Sequence, residues 1–401
     1  MKQFPHRTLT DLCDTSRGIA YGIVKVGEFI PNGVPVIRGG DIRGNRIEFD
    51  DAKRVTLEVS QQFSRTILRG GEIAINLIAE PGHCAVVPEE FSGFNVSRDV
   101  AVIPLGSEVN HNFVNWFLKA PQAIDWLASR MSGSVTQKIN LRDLKALPIP
   151  MPPQGIQDGI ADTLGALDDK IAVNDRIAVT YEQLLQCMYT GLGLSDEPEN
   201  ETATPVLELV AFNPKLAKPS GEEPVYVDMA ALQVNRASIP GWTRRAPKSG
   251  PRFINGDTLL ARITPCLENG KTGYVDFMER GEVGLGSTEF IVMRSRAGIP
   301  SELSYFLARD SRFRKHAIRN MVGTSGRQRV SAADAANYFV NRPDADALAA
   351  FGDNATAAFA HMKSLQSENR VLAALRDTLL PQLMSGRLRV KDAEKIVEDH
   401  V

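Results

Sequence analysis

Between residues 152 and 189 the apolar side chains fall on one narrow stripe. Ile160, Leu164, Leu167, Ile171, Asn174, Ala178, Tyr181, Leu185 and Met188 follow one another in alternating steps of four and three. That spacing predicts a long helix with a single seam, as in a coiled coil. Pro153 suits a first helical turn, and no proline follows until Pro198. About 36 helical residues make a rod of roughly 54 Å. A rod with one apolar seam needs a partner, and the chain offers one near its end. From about Asp344 to Leu383, Phe351, Ala355, Ala358, Met362, Leu365, Asn369, Leu372, Leu379 and Leu383 fit the same spacing, with Arg376 interrupting it. Asn174 and Asn369 are near repeat mates. A polar residue in a seam fixes register at some cost in stability; the alternative is that both face water.

The remaining pattern is short β-like runs punctuated by Gly, Pro and Asn, and it occurs twice. The first half offers Val34–Ile37, Glu72–Ile78, Ala85–Val87 and Val100–Leu105. The second offers Val225–Met229, Thr258–Ile263, Tyr274–Phe277 and Phe290–Met293. Each set predicts a small twisted sheet. A helix with one apolar side follows, over 112–131 or 302–321. Then come a glycine loop, GSVTQK (133–138) or GTSGRQR (323–329), and capping-box spacing at Asn140/Asp143 or Ser331/Asp334. The halves align at an offset near 190, pairing Ser97–Val100 with Ser287–Phe290 and Gln137–Asn140 with Gln328–Ser331. At 185, Gly71-Glu72 pairs with Gly256-Asp257. Ordered matches at a nearly constant offset indicate duplication. The polar, acidic stretch 192–205 reads as a flexible linker between the halves.

With 401 residues and 43% hydrophobic content, the chain can build two or three cored domains. Its net charge of −2 conceals an asymmetry: residues 141–200 carry −6 and residues 201–342 carry +6. A basic globular half is compatible with nucleic-acid contact, weakly. The four cysteines, Cys13, Cys84, Cys187 and Cys266, are scattered, which suits reduced thiols in a cytoplasmic protein. No signal-peptide core or run of about 18 apolar residues occurs. There is no phosphate-binding Gly-x-x-x-x-Gly-Lys-Ser/Thr and no dinucleotide fingerprint. Asn213-Pro214-Lys215 departs from an amino-methyltransferase loop in its last positions. Asp51-Ala-Lys53 has a nuclease-like spacing that is common by chance, and the histidines lack ligand spacing.

Two similar units on two antiparallel helices would form a caliper. Their reach could exceed the roughly 34 Å of one DNA turn, and their pseudo-twofold would match that of the duplex. Three stretches carry a family resemblance: RITPCLENGKTGYV (262–275) with GSTEFIVMR (286–294), PIPMPPQGIQDGIADTLGALDDKI (148–171), and LLPQLMSGRLRV (379–390). In this order, within a duplicated frame, they resemble the specificity subunit of type I restriction-modification systems. FVNRPDADALAAF (339–351) departs from it by lacking the proline-rich lead-in.

The resemblance implies an α+β fold: two target-recognition domains separated by two long antiparallel coiled-coil helices. The expected divisions are a first recognition domain (1–150), a central conserved helix (151–191), the linker (192–205), a second recognition domain (206–342), a distal conserved helix (343–390) and a tail (391–401). It also implies a non-catalytic subunit that reads a split sequence in double-stranded DNA and binds no cofactor. Two methyltransferase subunits would dock on it and bring S-adenosylmethionine. Two restriction subunits that use ATP and Mg can join them. The alternatives are a stand-alone DNA-modifying enzyme, which would need a cofactor loop, and a helical scaffold with no DNA role.

Loop Arg, Lys, Asn and Gln are the residue types that contact phosphates and base edges. In the first half these are Arg38, Arg43, Asn45 and Arg46 of RGGDIRGNR, with Gln137 and Lys138. In the second they are Arg244, Arg245, Lys248 and Arg252 of GWTRRAPKSGPR, then Asn269 and Lys271, and Arg327, Gln328 and Arg329. For any one of them a solvated surface charge is the competing explanation, and Glu268–Lys271 also reads as a simple turn. Arg312, Arg314, Lys315 and Arg319 read as the wet face of a helix. The expected helix-pair seam is Leu164, Leu167, Ile171, Asn174, Tyr181 and Leu185 against Met362, Leu365, Asn369, Leu372 and Leu379.

Overall fold

Two helices dominate the chain, a central one over Gln154–Gly191 and a distal one over Ala345–Met384. The computed structural model describes residues 4–132, 137–198, 203–219, 221–246, 249–324 and 326–400. These fall into two units, Met1–Ala172 with Asn369–Val401, and Val173–Glu368. Each unit therefore owns one half of each helix.

In the first unit a four-stranded antiparallel sheet runs in the order Ala20–Tyr21, Val100–Ile103, Ile73–Asn76, Cys84–Val86. The second unit repeats that order with Val210–Phe212, Phe290–Ser295, Asp257–Ala261 and Thr272–Tyr274. A smaller sheet accompanies each, with Val34–Ile37 parallel to Asn95–Val96 in one unit and Val225–Val227 parallel to Gly284–Gly286 in the other. The carboxylate matches explain themselves. Glu72 accepts from the Arg69 N–H at 2.9 Å and Asp257 from the Ile254 N–H at 2.8 Å, each closing the turn that feeds the second sheet strand. Both carboxylates are buried and ion-paired, with Arg17 and Arg294.

Where one amphipathic helix was expected after each sheet, the structure has two. Pro121 starts a new helix after Ala120, giving His111–Leu118 and Pro121–Ala128; a proline cannot donate the bond that would continue the first. In the second unit Asp310 does the same work. It accepts from the Phe313 N–H at 2.8 Å and divides Leu303–Arg309 from Ser311–Arg319. The capping box forms at Ser331, whose hydroxyl accepts from the Asp334 N–H at 3.0 Å, but Asn140 makes no side-chain cap. The expected flexible linker is partly built in. Leu192 and Leu194 are buried, Ser195 donates to Asp310 at 2.6 Å, and Ala203–Pro205 pairs with Phe339–Asn341. Residues 199–202 of that stretch lie outside the described residues. The equivalent closing pair in the first unit is His6–Thr8 with Pro148–Pro150.

The helix halves pack inside each unit's own core. In the first unit Leu164 and Leu167 share a core with Leu372 and Leu379, Ile171 packs at its margin, and Arg376 pairs with Asp168 at 2.6 Å. In the second, Leu185 and Met362 share a core, Tyr181 packs against it and Leu365 is buried. There the pairs Asn174–Glu368 at 2.9 Å and Tyr181–His361 at 3.1 Å run antiparallel. Asn174 is buried, so it does not face water, while Asn369 is half-buried. Gly159 and Gly352 hold equivalent places near the helix starts, and both are close approaches. A Cβ would lie 2.6 Å from Val390 at the first and 2.7 Å from the Pro300 ring at the second. Past the distal helix, Val390–Glu398 is a further helix that buries Ala393 and Val397 in the first core.

Glu182 of the central helix is the most heavily bonded group of the second unit's helix half. It is buried and accepts from the Ala237 N–H at 3.0 Å, Tyr305 Oη at 2.8 Å and Arg309 at 2.6 Å. Removing one member of a buried ion pair leaves the other uncompensated, at about 3–5 kcal/mol. Glu182→Ala is therefore expected to lower the urea midpoint of this unit by that amount. Gln183→Ala, on the exposed face, should change it by less than about 0.5 kcal/mol. Equal midpoints for the two variants would contradict the assignment.

Candidate nucleic-acid interface

Each unit presents a hairpin loop fastened to its sheet in the same way. Lys138 bridges both Ile78 and Ser132, and Arg329 bridges both Ile263 and Val322. The Gln137 carbonyl accepts from Ala79 N–H at 3.3 Å and that of Gln328 from Thr264 N–H at 3.1 Å. Ile139 N–H donates to the Leu77 carbonyl and Val330 N–H to that of Arg262, at 2.9 and 3.0 Å. The duplication thus extends to single backbone bonds, and it brings Gln137, Lys138, Gln328 and Arg329 to matching places. Residues 133–136, Lys248 and Ser325 lie outside the described residues.

The side chains diverge. Gln137 and Lys138 are exposed, as is Arg327. Gln328 is half-buried, and its N–H donates to Thr264 Oγ1 at 3.1 Å. Arg329 instead embraces Glu289, its Nε 2.9 Å from both carboxylate oxygens and a terminal nitrogen 2.7 Å from one. This pairing holds the Glu289 carboxyl below the usual glutamate range. In the first unit the matching Asp99 accepts from the Gly39 N–H at 2.9 Å and from Ser97, so Lys138 carries no equivalent lock.

In the glycine-rich loop of the first unit, Arg38 is tied to Asp50 at 2.6 Å and Asp41 at 3.3 Å. Arg43 is exposed and only 3.5 Å from Glu48. Arg46 sits 3.9 Å from Asp169 of the central helix. Asn45 turns inward, where its carbonyl accepts from Asn115 and from Lys119, and burial pushes the Lys119 ammonium down from its ordinary value. Its place in a charged loop is visible in the sequence, whereas this tether joins residues about seventy positions apart.

In the second unit Arg244 pairs with Glu282 at 2.7 Å, and the Arg245 guanidinium lies 3.3 Å from the centre of the Tyr226 ring. Arg252 donates to the Leu216 carbonyl and Lys271 to that of Met229. Asn269 is exposed in its turn. Arg312 of the neighbouring helix packs over Tyr338 and donates to the Phe339 carbonyl at 2.8 Å, so it is not a free surface charge.

Two clefts open beside these loops. One, of about 580 Å³, is bordered by Arg43, Asn76, Glu80, His83 and Asp99. The other, of about 560 Å³, is bordered by Asn213, Lys215, Arg252, Arg262 and Thr288. Residue type and loop context did not single out Arg262, because it stands inside a strand-like run. Among the described residues no group of three or more His, Cys, Asp or Glu could hold a metal ion, and no helix is long and apolar enough to cross a membrane.

A family model described as the type I restriction modification DNA specificity domain matches residues 1–181. The chain is 27% identical over 145 residues to the type I restriction enzyme EcoBI specificity subunit of Escherichia coli, covering 36% of this chain and 30% of that subunit. It is 30% identical over 156 residues to the EcoEI specificity subunit of Escherichia coli, 36% of this chain and 25% of that one. The chain thus matches less than a third of the length of these relatives. A crystal structure of the S subunit of a type I restriction-modification system from M. genitalium matches over 95% of this chain and 96% of that one, with 16% identity and a TM-score of 0.54. That likeness is one of fold, and it agrees with the α+β reading.

The Arg329–Glu289 pair has a pH signature. A glutamate whose folded value is lowered adds stability that is fully present above its unfolded value of about 4.3 and is lost as pH falls through the folded value. Arg329→Ala is expected to destabilise the second unit at neutral pH, with the difference from the parent shrinking below pH 4. A difference that grew on acidification, followed by thermal melting across pH, would contradict the pairing.

Proposed function

We propose that this chain, whose residues 1–181 belong to the type I restriction modification DNA specificity domain family, is a DNA-specificity subunit without catalysis of its own. The observation that carries the reading is the repeated hairpin frame. It occurs once inside the matched residues and once beyond them, with exposed loop cations or amides in both units. Each unit takes one half of a split target. The free loop residues Arg43, Gln137, Lys138, Asn269 and Arg327 meet the duplex, and the tethered Arg38, Asn45 and Arg329 shape the loops that present them.

Phosphate contacts from such cations supply sequence-independent affinity, while base edges supply selection. The pair of long helices docks two methyltransferase subunits, which bring S-adenosylmethionine. Two restriction subunits using ATP and Mg complete the larger assembly in the cytoplasm. The divisions that suit this role are recognition domains over 1–150 and 206–342 with conserved helices over 151–191 and 343–390.

Methylation mapping of host DNA, with and without this gene, tests the reading. Gene-dependent modification of a two-part sequence with a fixed internal gap is expected. The assembled methyltransferase complex should also lose affinity steeply with salt, by on the order of 10³ between 50 and 200 mM for about six phosphate contacts. Methylation or cleavage by the purified chain alone, or a host methylome indifferent to the gene, would sink the proposal.

A further inference from the structure

The two units are superimposable bond by bond along their central strand, which makes a departure from the repeat informative. Leu77 N–H donates to the Asp99 carbonyl, and Arg262 N–H donates to that of Glu289, at 2.6 and 3.0 Å. The next residues, Ile78 and Ile263, bridge Lys138 and Arg329. Leu77 and Arg262 therefore occupy one and the same position of the frame. In the first unit that position is 5% exposed and belongs to the hydrophobic core. The fold itself asks only for an apolar side chain there.

In the second unit the same position carries a guanidinium. Its Nε is buried with no hydrogen-bond partner, an arrangement that costs free energy unless something else uses it. The side chain borders the 560 Å³ cleft together with Lys215 and Arg252, and no carboxylate borders it. Glu289, the nearest acid on the same turn, is already gripped by Arg329. The first unit's cleft is different in chemistry, since Glu80 and Asp99 border it beside Arg43. One cleft is thus all donor and the other is mixed.

The geometry points to Arg262 as a base-reading residue of the second unit, its guanidinium fork directed at the paired acceptors of a guanine in the major groove. Arginine fits the O6 and N7 of guanine with two parallel bonds. Lys215 and Arg252 at the rim suit the flanking phosphates. This assignment rests on the specificity-subunit reading above and adds which residue selects, and for which base.

The test uses the full chain assembled with its methyltransferase partner. Arg262→Leu installs the side chain that the first unit already carries at this position, so the frame tolerates it. It is expected to make one guanine of one half-site degenerate, with discrimination at that position falling roughly 5- to 100-fold. The other half-site, an internal control for folding and assembly, stays unchanged. Arg262→Lys keeps the charge but not the fork, so it should retain overall affinity and still lose the guanine preference. A parent motif preserved at every position in Arg262→Leu would overturn the assignment. So would a uniform loss of affinity across all sequences, the mark of a phosphate contact. If the parent complex marks no split sequence at all, the functional reading falls and takes this assignment with it; the two failures are distinguishable by the parent alone.

Discussion

A long helix with a single apolar seam is not stable in water on its own, and everything else in this chain follows from how that seam is covered. Burying a leucine is worth about 1.5–3 kcal/mol, so Leu164, Leu167, Leu372 and Leu379 together outweigh any local helix preference. Each helix half is covered twice, by the other helix and by the globular body of its own unit. That double cover explains why the buried set is wider than a two-helix seam. Ala161, Thr163 and Glu182 are buried off the stripe because sheet-bearing bodies, not a helix alone, lie against them. Gly159 and Gly352 belong to the same constraint, since a helix cannot approach Val390 or Pro300 so closely with a side chain in between.

The duplication preserved backbone and relaxed side chains. Hydrogen bonds at the hairpins, the carboxylate-closed turns and the strand order recur in both units. The charged groups around them do not. Glu72 meets an arginine from the N-terminal segment, while Asp257 meets one from the neighbouring strand. Lys119 and Arg309 share a position, yet one turns to Asn45 and the other to Glu182. Such a split suits a scaffold that must keep its shape while its surface answers to two different stretches of DNA.

Periodicity made the two helices legible, and ordered matches made the repeat legible, because both are statements about spacing. The strands were found with ends off by a few residues: Thr272–Tyr274 lies just before the expected 274–277. The helix breaks at Pro121 and Asp310 were in plain view as a proline and a capping residue, but apolar periodicity ran through them. The loop chemistry was less legible for a different reason. Composition marks Asn45, Arg38 and Arg329 as candidate readers, whereas their partners Lys119, Asp50 and Glu289 come from elsewhere in the fold. Arg262 was hidden in the opposite sense, a polar group at a position whose repeat mate is core.

The closing strand pairs carry a consequence for how such a chain diversifies. His6–Thr8 lies beside Pro148–Pro150, and Ala203–Pro205 beside Phe339–Asn341. Neighbouring antiparallel strands are only about 5 Å apart, so each body is entered and left through one narrow doorway. Everything between the two doorposts can be replaced as a cassette without re-routing the chain that follows. A mosaic gene, cut at those posts, would inherit a ready-made frame and a foreign vocabulary.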